Sequence, residues 1–308
     1  NYYYRGPGTS RCAAMSTGDS VWGVPFAPHS FTARSDAEPA FILALTYGGD
    51  LLGDAQRELA VLGARAAREL ALPAGPAMSA QAALLRSFMR ARMLTPAQLA
   101  GDAKMSAERV AQLCAAADLA REDEMHALAR ALGVSRRELL APETHIEHGV
   151  RLQRRAKAPS WDFPDGDGCS HRVTRLAGDP LHPHTTALEL DVRAPEFRED
   201  RVLTTYQHQY LYVLGDAALE LGWRHCGERY AARLDPGDSG YIRPQVPVAL
   251  SRGDREPARV LLLRIGGAAG TDARFALSAM AEGGIDRYLD EDRMWYRASS
   301  RTSEGAPS

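Results

Sequence analysis

The residues of this chain best suited to chemistry are a histidine, an arginine and two neighbouring hydroxyl side chains. His29 stands in PHSF, within the stretch GDSVWGVPFAPHSFTAR at residues 18–34. Imidazole can ligate a metal or carry a proton, although a lone histidine is more often a hydrogen-bonded part of a core or loop. Arg264 closes the apolar run VLLLRIG. Two-residue alternation puts it on the face of Val260 and Leu262, where a charge is costly unless it is paired, serves a site or snorkels out at the strand end. Thr46 and Tyr47 close a similar run, FILALTY, and could donate hydroxyl hydrogen bonds; core packing is an equal alternative for Tyr47.

These residues belong to a stretch that the chain contains twice. Gly18-Asp19-Ser20 aligns with Gly237-Asp238-Ser239, Pro25 with Pro244 and Pro28 with Pro247, whereas His29 meets Val248. After a one-residue slip, Glu38-Pro39-Ala40 and FILALTYGG meet Glu256-Pro257-Ala258 and RVLLLRIGG, so Thr46 faces Arg264. A period of about 219 residues is far too long for a solenoid and means duplicated domains. Short apolar runs between Gly, Pro and Asp turn signals give each copy the all-β pattern of a small barrel or jelly roll.

The rest of the chain must position these copies. Its 308 residues can support two or three domains with sizeable cores. A formal net charge of −2 implies no general attraction to nucleic acid or anionic membrane. The four cysteines show no CxxC spacing and read as reduced thiols of a cytoplasmic protein, and no apolar run approaches membrane-spanning length.

Along the chain we expect the C-terminal half of a first barrel at residues 1–50, with a buried strand at 40–47, then a helix and linker at 51–79. A helical unit follows at 80–143, a second barrel at 144–267, and a helical tail with a disordered end at 268–308. Helical spacing of Leu59, Leu62, Ala66 and Leu70 supports a helix over 54–72. Thr95-Pro96, Ser106 and Ser135 read as helix starts and Gly133 as a stop. The cluster Glu143, His145, Glu147 and His148 has metal-binding residue types but reads as a polar linker, and WDFPDGDG at 161–168 reads as a turn-rich lead-in. Because the first copy lacks what would match residues 170–219, the chain is expected to be an N-terminally truncated piece of a longer protein.

The GD turn, the strand, the paired prolines and the following His29 resemble the second sequence motif of the cupin family, in which that histidine is a metal ligand facing into the barrel. In such a barrel an early His-x-x-x-Glu or His-x-x-x-Gln pair supplies the other ligands. Two imidazoles and one carboxylate or amide oxygen on one face are the ligand set of non-heme Fe(II) oxygenases. In the second copy the early pair falls on Thr205 and Gln209, or on Thr204 and His208; neither gives two ligands, and Val248 removes the third. That barrel therefore reads as degenerate and metal-free, with His208 making a structural hydrogen bond. The fold class expected is mixed all-β and all-α: a partial cupin barrel, a helix-turn-helix bundle, then a complete but degenerate cupin barrel.

LTPAQLAGDAKMSAERVAQLCAA with ALARALGVSRRELL resembles the five-helix helix-turn-helix domains of phage-repressor type. Only Arg109, Gln112 and Lys104 offer side chains for DNA among acidic neighbours, so a scaffold role is favoured and DNA stays open as a partner.

The order of parts, with GDS-x4-P-x2-PHSF, resembles the phosphonate-processing oxygenases, hydroxyethylphosphonate dioxygenase and methylphosphonate synthase, over residues 1 to about 267. The resemblance implies Fe(II), O₂ and a small hydroxyalkylphosphonate as partners, with His29 as one iron ligand and Arg264 as an anion contact aided by Thr46 and Tyr47. The dioxygenase places its carboxylate ligand six residues before the histidine. Gly23 stands there in this chain, which leans toward the ligand set of the synthase and of the more distant hydroxypropylphosphonate epoxidase. With one ligand of three, this piece alone should not bind iron tightly. A helix-turn-helix transcription regulator with a cupin sensor is the alternative, an inactive paralogue a third reading, and oligomeric state is open, a homo-oligomer included.

Overall fold

The chain divides into two compact units, one of Asn1–Ala14 and Gly23–Gly149, the other of Met15–Trp22 and Val150–Ser308. The computed structural model describes residues 1–6, 9–24, 27–46, 76–140, 146–164, 169–179, 185–196, 203–266 and 276–296. The expected helix at 54–72 and the expected disordered end lie outside these.

In the first unit, strands β1 (Tyr2–Gly6) and β2 (Thr9–Ala13) form an antiparallel pair. Between this pair and the helices the chain runs through β3 (Ser20–Gly23) and β4 (His29–Phe31). β4 completes a three-stranded sheet on the other side of β1, with Tyr2 opposite Phe31 and Tyr4 opposite His29. Beyond it, residues 41–46 correct the sequence reading. The expected buried strand is irregular and exposed there, Phe41 at 97%. An apolar run becomes a strand only where neighbours supply hydrogen-bond partners and cover, and no described strand of this unit pairs with it.

Helices α1 (Ala77–Ala91), α2 (Pro96–Ala103), α3 (Ala107–Cys114) and α4 (Glu122–Leu132) follow. Thr95 and Gln98 close a reciprocal capping box over α2, and the Ser106 hydroxyl accepts from the Arg109 N–H to start α3. The segment after Ser135 is a single turn of 3₁₀ helix, Arg136–Leu139, rather than a fifth α-helix. Leu85, Leu99, Val110, Leu113, Leu128, Leu132 and Leu139 meet in one core, each removed from water.

The second unit is built from strands. β5 (Val150–Gln153) pairs with β3, whose first three residues belong to this unit. Then come β6 (Ser160–Phe163), β7 (His171–Arg175), β8 (Thr186–Val192), β9 (His208–Leu214), β10 (Leu219–His225), β11 (Glu228–Leu234), β12 (Ser239–Ile242), β13 (Val248–Arg252) and β14 (Ala258–Ile265). Part of WDFPDGDG is thus strand rather than turn: β6 is fixed at a sheet edge by its ladder with β7. A six-stranded sheet, in the order β12-β9-β14-β8-β7-β6, faces a three-stranded sheet, β11-β10-β13. Both contribute to one core, with Leu190, Leu211, Val213, Val260 and Leu262 from the larger sheet and Leu219, Leu221, Val248 and Leu250 from the smaller. The expected tail helix is present as α5 (Gly284–Tyr296). Among the described residues no helix is long and apolar enough to cross a membrane.

Superposing the two copies by number shows the duplication in the backbone. Tyr2↔Ala13 and Tyr2↔Phe31 in the first copy correspond to Leu221↔Ala232 and Leu221↔Leu250 in the second. The Arg5 N–H bonds the Pro28 carbonyl at 3.4 Å, and the Arg224 N–H bonds the Pro247 carbonyl at 3.1 Å. Sheet β2-β1-β4 is therefore the register-matched counterpart of β11-β10-β13.

Candidate functional site

His29 opens β4, and its ladder with β1 fixes which way the ring points. Tyr2, Tyr4, His29 and Phe31 share one face of the sheet. The imidazole stacks on Tyr2 with centroids 5.9 Å apart and meets Phe31 edge-on at 5.6 Å. The corresponding residues of the second copy are Leu221, Trp223, Val248 and Leu250, all on the core side of the sandwich. That face is an interior in the second copy; in the first, Tyr2 is buried on it while His29 and Phe31 are exposed. Tyr2 is already 3% exposed, and burial, with Tyr4 beside it, raises its phenol above the ordinary range.

One hydrogen bond orients the ring of His29. Nδ1 lies 2.9 Å from the carbonyl oxygen of Ala27. A carbonyl can only accept, so Nδ1 carries a proton, and in the neutral ring Nε2 then keeps its lone pair. A hydrogen bond of this kind on the other ring nitrogen is what orients histidines that bind metals. An imidazole nitrogen is one of the donor types that Fe(II) accepts. No group of three or more His, Cys, Asp or Glu side chains gathers around a common point among the described residues. Gly23 has open space around it and no side chain to ligate.

The other sequence candidates are distributed over both units. Thr46 is exposed and Tyr47 lies outside the described residues. His29 and Thr46 belong to one unit and Arg264 to the other. Arg264 lies on the core face of β14, as alternation requires, with its Nε donating to Oε1 of Gln209 at 3.0 Å. Burial pushes the pKa of its guanidinium down. Glu143 and His145 also lie outside the described residues. His208 hydrogen-bonds through Nδ1 with the Tyr241 hydroxyl at 2.6 Å and stacks on that ring.

Sequence reasoning missed the aromatic wall of Tyr2 and Tyr4 around His29. The register of β1 against β4 would have been needed to find it. It also misjudged Arg109. This side chain is committed internally: Nε and Nη2 bond both oxygens of Glu124 at 2.9 and 3.0 Å, and Nη1 bonds Asp118 at 2.7 Å. Gln112 and Lys104 are exposed.

Comparison with known proteins follows these boundaries. Residues 82–141 match the model of a helix-turn-helix domain. The fold and the duplicated motif place the chain among proteins that combine such a helical domain with a β-sandwich. Over most of its length it is similar to HEPD and to methylphosphonate synthase. Over 298 residues, 96% of its length, it is 34% identical to methylphosphonate synthase of Nitrosopumilus maritimus (strain SCM1). It superposes with a TM-score of 0.85 and 54% identity on Streptomyces albus HEPD, solved with its substrate 2-hydroxyethylphosphonate and Fe(II) bound. Hydroxypropylphosphonic acid epoxidase from S. wedmorenis, at 20% identity and a TM-score of 0.50, matches 60% of this chain and shares the fold alone. The chain spans 64% of the synthase and 65% of the HEPD chain, less than two thirds of either.

Proposed function

We propose that this chain forms part of an Fe(II)- and O₂-dependent oxygenase acting on a small hydroxyalkylphosphonate, with 2-hydroxyethylphosphonate as its substrate. One observation carries the reading. His29, with Nε2 left free to ligate, sits on the face that the second copy uses as its interior, in a chain 54% identical to an HEPD that binds that substrate and Fe(II). Iron supplies O₂ activation when bound. His29 would hold it through Nε2, with the Ala27 carbonyl keeping the ring in place and Tyr2 and Phe31 packed against the imidazole.

The finer architecture belongs to the same proposal. Residues 1–50 are half of a first cupin barrel, 51–79 a helix and linker, 80–143 a helical scaffold, 144–267 a degenerate cupin barrel without metal, and 268–308 a tail. Free thiols at Cys12, Cys114, Cys169 and Cys226 suit a cytoplasmic enzyme. The commitment of Arg109 to Glu124 and Asp118 speaks for a scaffold and against DNA reading, because it removes a cation from the helix that would enter the groove.

The test is turnover of 2-hydroxyethylphosphonate by the protein expressed from its complete gene, with Fe(II) and O₂. Phosphorus NMR follows the products. Methylphosphonate is expected if Gly23 signals the ligand set of the synthase; another phosphonate product would indicate dioxygenase chemistry. His29→Ala should abolish turnover, and undiminished activity in that variant would overturn the assignment.

A further inference from the structure

The turn and strand that open the repeat are covered in the first copy and bare in the second. In the first, residues 149–155 lie along residues 19–24 in the opposite sense. The Val24 N–H bonds the Gly149 carbonyl at 2.9 Å, β5 pairs with β3, and the Arg155 N–H bonds Oδ1 of Asp19 at 2.9 Å. Nη1 of Arg154 meets Oδ2 of Asp19 at 2.8 Å, and the Asp19 side chain is left 7% exposed. The Ser20 hydroxyl accepts the Ala177 N–H at 2.9 Å.

Adding 219 to each number gives the matching surface of the second copy. Asp238, Ser239 and Tyr241 stand for Asp19, Ser20 and Trp22. All three are exposed, Tyr241 at 49%, whereas Ser20 and Trp22 are half-buried. Oδ2 of Asp238 accepts the Asp235 N–H, and Oδ1 meets no donor among the described residues.

The main chain repeats the contrast. β12 is an edge strand, with β9 as its one neighbour among the described residues. The Asp238 carbonyl accepts the Val213 N–H, so by antiparallel alternation Gly240 and Ile242 also turn their main-chain groups to β9. Ser239, Tyr241 and Arg243 therefore turn theirs away. Arg243 is the counterpart of Val24, whose N–H reaches the segment that carries β5. A row of main-chain donors and acceptors at a sheet edge is a template for one more strand. β12 has four residues, as β5 has.

We propose that the edge of β12 is a docking surface for an extended basic segment of the β5 kind, supplied by the same protein one repeat before β5. At a period of 219 residues that segment precedes residue 1, and the relatives have room for it, since the chain spans 64% of the synthase and 65% of the HEPD chain. Charge fits the choice. The surface presents Asp235 and Asp238, and the segment that covers the first copy carries Arg151, Arg154 and Arg155. Main-chain bonds to Ser239, Tyr241 and Arg243 hold the added strand, as in other strand additions, and an arginine at its end takes the open oxygen of Asp238. β5 leads into the second copy and closes the edge of the first; the docked segment leads into the first and closes the edge of the second. The inference rests on the duplication, with residues 1–50 as part of a repeated module, and is independent of the iron reading of His29.

Amide hydrogen exchange tests it on the 308-residue chain and on protein from the complete gene. In the chain, the amides of Ser239, Tyr241 and Arg243 should exchange at least about 10-fold faster than those of Ser20, Trp22 and Val24. In the complete protein they should slow to the rates of those counterparts. The amides of Leu211 and Val213 should be protected in both, which reports that the unit is folded. Tyr241→Pro removes an N–H that faces away from β9, a place where an edge strand tolerates proline. It should keep Leu211 and Val213 protected and, in the complete protein, return Ser239 and Arg243 to fast exchange. Asp238→Arg should do the same by repelling a basic segment. His29→Ala should exchange as wild type at residues 239–243, so a failed iron assignment would leave this inference standing. Fast exchange at Ser239 and Arg243 in the complete wild-type protein, or slow exchange in the chain alone, would overturn the proposal. Protection in the chain that grows with its concentration would overturn the source, because a second copy would then be covering the edge.

Discussion

Asp19 and Asp238 occupy the same point in two copies of one turn. Oδ2 of Asp19 accepts the N–H of Ser16 at 3.0 Å, and Oδ2 of Asp238 accepts the N–H of Asp235 at 2.8 Å, each from three residues upstream. The residue before each aspartate is a glycine in the left-handed region, Gly18 at φ +84° and Gly237 at φ +94°. A side chain at either position would strain the backbone, which is why the Gly-Asp pair marks the repeat so plainly. The copies then diverge: Asp19 also accepts from the Arg155 N–H at 2.9 Å and from Nη1 of Arg154 at 2.8 Å.

Burial works against the ionised form of Asp19, but the hydrogen bonds from Arg155, Ser16 and Arg154 outweigh it and hold the carboxyl below its ordinary range. A carboxylate with a depressed folded pKa stabilises the fold above its unfolded value, and that stabilisation is lost as pH falls through the folded one. Asp19→Asn should therefore cost about 2 kcal/mol near neutral pH, with the deficit shrinking in acid. Asp238→Asn, which loses a single exposed bond, should cost about 0.5–1 kcal/mol. Urea melts at neutral and acidic pH check both, and equal losses in the two variants would refute the distinction.

The helical unit supports a second prediction. Arg109 on α3 and Glu124 on α4 are bonded through both carboxylate oxygens, and Arg121 adds a contact at 2.9 Å. The hydrogen bond from Arg109 is the main reason that the Glu124 carboxyl is held below its usual range. Only 6% of the Glu124 side chain is exposed, so this is a bridge largely withdrawn from solvent. Glu124→Gln should lower stability by about 2 kcal/mol at neutral pH. As the pH falls through the folded pKa of Glu124, wild type loses this advantage and the two melting curves converge; a gap that does not depend on pH would refute the argument.

How much of this was legible depended on whether the signal was local. Thr95, Ser106 and Gly133 act within one turn of the chain, and the caps they announce are present. Gly18 and Gly237 are also local, so the duplication could be read directly. Strand β11, ERYAARL, gave no sign of itself because it is a sheet edge whose residues are all exposed or half-buried. Residues 41–46 failed in the other direction, since an apolar sequence says nothing about whether a covering sheet stands beside it. The partners of Arg109 lie 9 and 15 residues away, and Gln209 lies 55 residues from Arg264. The odd charge of Arg264 was visible in the sequence, whereas the buried amide turned toward it needed the register of β9 against β14.

The correspondence of Val248 with His29 allows a direct test of what makes a metal site in this fold. Val248 is 2% exposed and packed in the sandwich core, opposite Trp223 in the ladder of β10 with β13. Replacing it with histidine restores the imidazole that the second copy lacks. The surroundings do not become a site, because Ile242 offers no donor and a metal ion would share the sandwich interior with the guanidinium of Arg264 and its Gln209 partner. Two cations in one poorly solvated interior repel each other, which works against the single added ligand. Val248→His should therefore bind no Co(II) in an absorbance titration and should lose about 2 kcal/mol of stability from burying a polar ring. Adding Arg264→Met removes the repulsion but still leaves a single imidazole as ligand, so weak binding at most is expected. Tight Co(II) binding by Val248→His alone would mean that the charge of Arg264 does not govern this interior.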